Sequence, residues 1–239
     1  MGTTRLYFAT TSPAVSPTFG GPGWFYTWDG TGSAFRGLLT PTKSVTALVA
    51  SGAISNAGSA LGKNLGLQAT SEPLAAQTIP GTTFLKGQCL FTENAAGNNI
   101  DLTWLAVYTV SNDGATYHKT LLSLNAYGST TEFSVLSTYT DRILCVGATY
   151  DVATYGSEGG DIVITDGDRL VVEVGAGSAA GGSAGSYRMK YGDTGTDLPD
   201  ADEAQTTDGV PWIEMDYTLV FQAGGTVLDP LGQAGFFGI

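Results

Sequence analysis

Positive charge is what this sequence holds least of: ten lysines and arginines stand against 22 aspartates and glutamates, a net charge of −12 over 239 residues. A surface of that sign repels phosphate backbones, so nucleic acid is not expected as a partner. Imidazole and thiol are almost as scarce. His118 is the single histidine, and Cys89 and Cys145 are the two cysteines. Set this far apart they give no zinc spacing, and any mechanism needing a histidine base has one residue to draw on. Each cysteine sits in an apolar run, Gln88-Cys89-Leu90-Phe91 and Ile143-Leu144-Cys145-Val146, which predicts buried thiols. Whether the two pair is left open, because spacing does not fix the Cβ approach a disulfide needs. No apolar run reaches the length of a membrane span, so membrane insertion is not expected. The opening Met1-Gly2-Thr3-Thr4-Arg5-Leu6 has no basic region leading into an apolar stretch. Neither a secretion signal nor an anchor is expected, and synthesis in a cytoplasm is the reading.

Helical periodicity is rare as well; the best segment, Thr131 to Leu136, would make a turn or two. What fills the chain is glycine, 34 residues of it, between short apolar segments of period two. Ile100, Leu102, Trp104, Ala106, Tyr108 and Val110 alternate with Asp101, Thr103 and Thr109, and Asn112-Asp113-Gly114 then reverses the chain. Ile213, Met215, Tyr217, Leu219 and Phe221 share a face of a second strand, with Glu214, Asp216 and Thr218 pointing away. Residues 161–174 read as strand, turn, strand around Thr165-Asp166-Gly167-Asp168. Further strands are expected at 4–10, 44–50, 77–91, 141–152 and 186–192. Many short strands with glycine between them predict an all-β fold, an antiparallel β-sandwich of jelly-roll-like type, with a closed barrel as the alternative. One domain over residues 1–222 is expected, followed by a short irregular, Gly-rich and apolar-ended extension over residues 223–239.

Two segments stand outside this pattern and are the expected partner contacts. The first holds Trp24, Phe25, Tyr26 and Trp28, a cluster that reads as a plug at the end of the sandwich, or alternatively as a sugar-binding platform. The second ends in Phe236, Phe237 and Ile239, apolar side chains that a lone domain gains little by exposing.

Motifs that carry chemistry fail on context. Gly175-Ala176-Gly177-Ser178-Ala179-Ala180 matches a dinucleotide-binding pattern after a strand, but more glycines and another strand follow where a helix is needed. Gly181-Gly182-Ser183-Ala184-Gly185 fits a nucleophile elbow, again with no helix after it. His118 reads as a solvated residue near a hairpin turn. Asp193, Asp197, Asp200, Asp202, Glu203 and Asp208 crowd one loop, and calcium takes such oxygens. Without EF-hand spacing, a solvated acidic loop is preferred. No catalytic residue, metal ligand or cofactor is assigned, and the chain is expected not to be an enzyme.

Five stretches recur in a familiar order. They are Thr4-Arg5-Leu6-Tyr7-Phe8; then Pro13-Ala14-Val15-Ser16-Pro17-Thr18-Phe19; then Glu72-Pro73-Leu74-Ala75-Ala76-Gln77-Thr78-Ile79, trailed by Lys86-Gly87; then Asp166 to Gly175; and last Tyr191-Gly192-Asp193 leading to Pro211-Trp212-Ile213-Glu214. Together they span nearly all of residues 4–221, and the chain resembles small virion structural proteins of tailed bacteriophages, of minor tail or capsid-surface type. The resemblance implies a particle component rather than a reaction: a protein located in the virion, touching other virion proteins, and a homotrimer as phage appendages often are. A host-recognition or carbohydrate-binding module on the particle, touching a host-surface glycan, is the alternative it allows. The segment after Phe221 extends beyond the resemblance.

Overall fold

A computed structural model describes residues 2–18, 35–55, 64–94, 100–128, 132–133, 138–145, 150–177, 186–200, 205–206 and 209–222. Runs of β-branched and aromatic residues become strands, in order β1 (Thr4–Ala9), β2 (Phe35–Thr40), β3 (Val49–Ala50), β4 (Ile54–Ser55), β5 (Asn64–Pro73), β6 (Gln77–Ile79), β7 (Leu85–Glu93) and β8 (Leu102–Val110). β9 (Tyr117–Gly128), β10 (Tyr139–Cys145), the four-residue helix α1 (Val152–Tyr155), β11 (Ile162–Ile164), β12 (Arg169–Gly177), β13 (Ser186–Tyr191), β14 (Gln205–Thr206) and β15 (Trp212–Met215) complete them. Apart from α1, no helix is present among the described residues, and none is long and apolar enough to cross a membrane.

The architecture is an all-β sandwich. Thirteen strands form one sheet along the path β14-β10-β7-β15-β1-β2-β5-β12-β8-β9, with β13 branching from β7 and carrying β3 and β4. β6 and β11 make a separate two-stranded ribbon. Every pairing between the described strands is antiparallel except β2 with β5. On one edge β7 takes β10, and on the other it takes β15 at residues 85–88 and then β13 at residues 90–93. The sheet therefore splits along β7 and rolls over. The Tyr187 hydroxyl on β13 donates to Asn64 O on β5 at 2.7 Å, and Thr103 Oγ1 on β8 donates to Ile143 O on β10 at 2.9 Å. These bonds tie the two layers face to face.

Between the layers lies one core. Leu6 and Phe8 of β1, Cys89 and Phe91 of β7, Leu105 and Val107 of β8, Leu170, Val172, Val174 and Ala176 of β12, and Ile213 and Met215 of β15 pack there. Burying side chains of this size contributes about 1.5–3 kcal/mol each, which holds the layers together. Both thiols are buried and free, and burial pushes both up from the ordinary cysteine value.

Several strand expectations change on the structure. Over 44–50 only Val49–Ala50 is a strand, because Val45 takes φ 61°, a left-handed conformation no strand passes through. Over 77–91 a turn divides β6 from β7; over 141–152 β10 is described to Cys145, residues 146–149 lie outside the described residues, and Val152 is already in α1. The alternating run 212–221 is strand only to Met215. Beyond it the chain keeps a single antiparallel bridge, Phe221 with Leu74, and side chains add to it: Leu219 N donates to Thr4 Oγ1, and the amide side chain of Gln77 accepts from Val220 N and donates to Val220 O. Around the expected turn of helix, Glu132 and Phe133 are not helical and the other residues lie outside the described set. The expected extension, 223–239, lies outside it too.

Candidate functional site

Alternation on three neighbouring strands aims polar side chains away from the core. Arg5 and Tyr7 of β1 stand opposite Glu214 and Trp212 of β15, and these stand opposite Lys86 and Gln88 of β7. The row Arg5, Glu214, Lys86 thus alternates in sign across the strands, a pairing that stabilises a sheet. Arg5 Nε reaches Glu214 at 2.9 Å and Lys86 Nζ reaches it at 3.0 Å. Over this row lies the loop 192–200. Its Leu198 packs on Trp212 and accepts the indole N–H at 2.8 Å, while Asp197 takes Arg5, Lys43 and the Tyr7 hydroxyl, and Asp200 takes Lys86. The Arg5 guanidinium stacks 4.0 Å from the centre of the Trp212 ring. Burial alone would raise Asp197, but its hydrogen bonds from Lys43, Arg5 and Tyr7 win and hold it below the ordinary carboxylate value.

The same loop begins at a second anchor. Asp193 is fully buried, and its carboxylate accepts from Ser44 N at 2.6 Å, from Ser44 Oγ and Thr46 Oγ1 at 2.7 Å, and from Thr46 N. Burial opposes its charge, yet the hydroxyl and backbone donors of Thr46 and Ser44 outweigh burial and lower its pKa. Two residues held by one carboxylate push the residue between them outward, and Val45 is 73% exposed. A pocket of about 270 Å³ is lined by Leu48, Thr194, Gly195, Thr196 and Gly209.

Of the acidic loop, Asp193 is buried and Asp197 partly so, while Asp200 is exposed. Asp193, Asp197 and Asp200 give their oxygens to protein donors; Asp202, Glu203 and Asp208 lie outside the described residues. No metal-ligand cluster occurs among the described residues.

A third polar centre sits at the Asp166-Gly167-Asp168-Arg169 turn, where Gly167 has φ 91°. Leu74 N donates to Asp168 O and Gly167 N donates to Leu74 O, tying this turn to the end of β5. Arg169 Nε and a terminal guanidinium nitrogen donate at 2.9 Å to Asn112 O and Ser71 O. His118 is here: its Nδ1 lies 2.9 Å from Oδ1 of buried Asp168, whose other oxygen accepts Thr165 N. The imidazole is surface-lying, as expected, but it is paired rather than merely solvated. Asp168 had no signal beyond its place in a good turn sequence, and nothing in Ser44-Val45-Thr46 announces a positive φ.

Of the tempting glycines, Gly175 and Gly177 are ladder positions of β12, opposite Trp104 and Leu102, with no helix at them; Ser178 to Gly185 lie outside the described residues. So do the expected contact residues Trp24, Phe25, Tyr26, Trp28, Phe236, Phe237 and Ile239. Comparison of the sequence with models of known protein families and with curated proteins finds no match.

Proposed function

We propose that this chain is a non-enzymatic structural component of a tailed-phage virion, a minor protein mounted on the tail or capsid exterior that contributes to assembly or stabilisation. The reading rests on the five ordered stretches of resemblance, and one observation supports it: those stretches that lie in described strands and turns are framework. Thr4–Phe8 pairs with Trp212–Glu214 as β1 on β15. Asp166–Gly175 is the polar joint plus β12, laid on β5, where Glu72 and Pro73 end the strand. Asp193 anchors the loop that covers β15. Residues used this way build a body with loops and termini free for neighbours, and repeated copies on a particle let modest contacts hold it.

Mass spectrometry of purified virions tests the proposal. The expected result is incorporation at a copy number tied to the particle's symmetry; absence from infectious particles overturns it. Saturable binding of host polysaccharide by the isolated protein would move the reading to host recognition. Deleting residues 224–239 is expected to leave the unfolding midpoint unchanged, because the core closes within the described residues up to Leu219, and to lower incorporation.

A further inference from the structure

We propose that the outer row of β1, β15 and β7 is a docking groove for an extended acidic peptide of a neighbouring protein, and that the loop 194–200 fills it as a built-in stand-in. The groove shows its chemistry through what it holds. Arg5, Lys43 and Lys86 converge there, three of only ten lysines and arginines in the chain. Asp197 and Asp200 answer them, and between the two carboxylates Leu198 covers Trp212 and accepts its indole N–H. The backbone is held as well: Leu198 N donates to Val210 O and Val210 N donates to Thr196 O, a parallel bridge at the entry to β15. The pattern bound by this surface is therefore two carboxylates flanking an apolar side chain, on a backbone that pairs as a strand does.

The loop is an incomplete occupant. Gln88 stands across the ladder from Trp212, fully buried, and neither end of its amide has a hydrogen-bond partner among the described residues. A buried amide left in this state is costly, and the loop that closes over the row supplies it with neither donor nor acceptor. The ion pairs holding the loop are partly solvated, with Asp200 56% exposed, and such pairs contribute little each. Near its base Gly195 sits at φ 122°, a joint where no Cβ resists a change of direction. A partner segment that repeats the two carboxylates and adds a polar group for Gln88 binds better than the loop and displaces it. A sugar polymer would bring hydroxyls but no backbone to pair with Val210. The proposal does not depend on the virion reading: it is read on the isolated chain, whereas that reading stands or falls on particle composition.

Fluorescence anisotropy on the full-length protein tests it, with a labelled synthetic peptide of residues 194–200 as probe and Leu198→Gly as the protein variant that loosens the loop. The expected result is binding that Leu198→Gly tightens about tenfold or more. Arg5→Ala in the protein, or Asp197→Asn with Asp200→Asn in the peptide, is expected to abolish it. A second peptide carrying Leu198→Gln is expected to bind the parent more tightly than the first peptide does, and to lose that preference against the protein variant Gln88→Leu. The same variant is expected to raise the urea-unfolding midpoint, because the orphaned amide is gone. A merely structural Gln88 would move the midpoint and leave the peptide preference unchanged. Hydrogen exchange of the parent gives a readout that needs no variant: the peptide is expected to speed exchange at Leu198 N as the loop is displaced. No binding of either peptide, equal binding of the neutral one, or binding of polygalacturonate with unchanged exchange over 194–200 overturns the proposal.

Discussion

Two of the buried carboxylates among the described residues, Asp193 and Asp168, each hold a loop, and they are satisfied in different ways. Asp193 takes two hydroxyls and two backbone N–H groups from Ser44 and Thr46, all neutral donors that keep their protons across the accessible pH range. Asp168 takes one backbone N–H and the imidazole of His118, which brings a formal charge only when protonated. The first arrangement fixes a loop tip in a conformation the chain would not adopt alone. The second joins three chain reversals whose backbones already suit their turns, with Arg169 sharing the work. A carboxylate can thus impose a shape or merely lock one, and the donors around it show which.

Breaking each anchor in turn sharpens that contrast. Asp193→Ala removes the acceptor for four donors in a buried site and is expected to cost about 3 kcal/mol by urea unfolding, with Val45 leaving its left-handed conformation by NMR. Arg169→Ala leaves Asn112 O and Ser71 O without their donor and is expected to cost about 2 kcal/mol. Its signature is faster hydrogen exchange at residues 71–74 and 112–118 with 41–48 unchanged. His118→Ala is expected to cost about 1 kcal/mol or less, since the ring is partly solvated. Lys86→Ala on the outer row is expected to stay within about 0.5 kcal/mol.

Acid should separate the centres as well. The pKa values of Asp193 and Asp197 are lowered in the folded state. Their stabilisation is therefore complete above the ordinary carboxylate range and is lost as pH falls through their lowered native values. Asp193→Asn is expected to flatten that part of the acid limb. An unchanged limb in this variant would remove Asp193 from the account.

Much of the frame was legible in the sequence because period two and turn chemistry are local signals. The hairpin at Asn112-Asp113-Gly114 is present, with Gly114 at φ 73°, and so is the strand-turn-strand over 161–174. Alternation was less informative about which face meets the core. On β8 the apolar series Trp104 to Val110 faces away from the main core, which takes Leu105 and Val107 from the other side. β8 lies between β12 and β9 and is covered on both faces, with Tyr108 and Val110 packed on Val171 in a cluster of their own. A central strand buried twice has no polar face to read. The anchors were illegible for another reason. Asp193 meets Ser44 across almost 150 positions, and an acidic residue destined for burial looks the same in sequence as its exposed neighbour Asp200. Side chains that supplement backbone pairing, as Gln77 does at Val220, are likewise invisible until the chain is folded.

The pairing of β1 with β15 bears on the order of events during synthesis. Thr4 meets Met215 in the ladder, so one edge of the first strand has no partner until almost all of the described chain has been made. At about 5–20 residues per second that interval is on the order of ten to forty seconds. Contacts this distant in sequence also close slowly after release. During the wait Arg5 and Tyr7, which later meet Glu214 and Trp212, put a charge and a polar hydroxyl on an unpaired strand, the kind of residue that discourages edge-to-edge joining with another nascent chain.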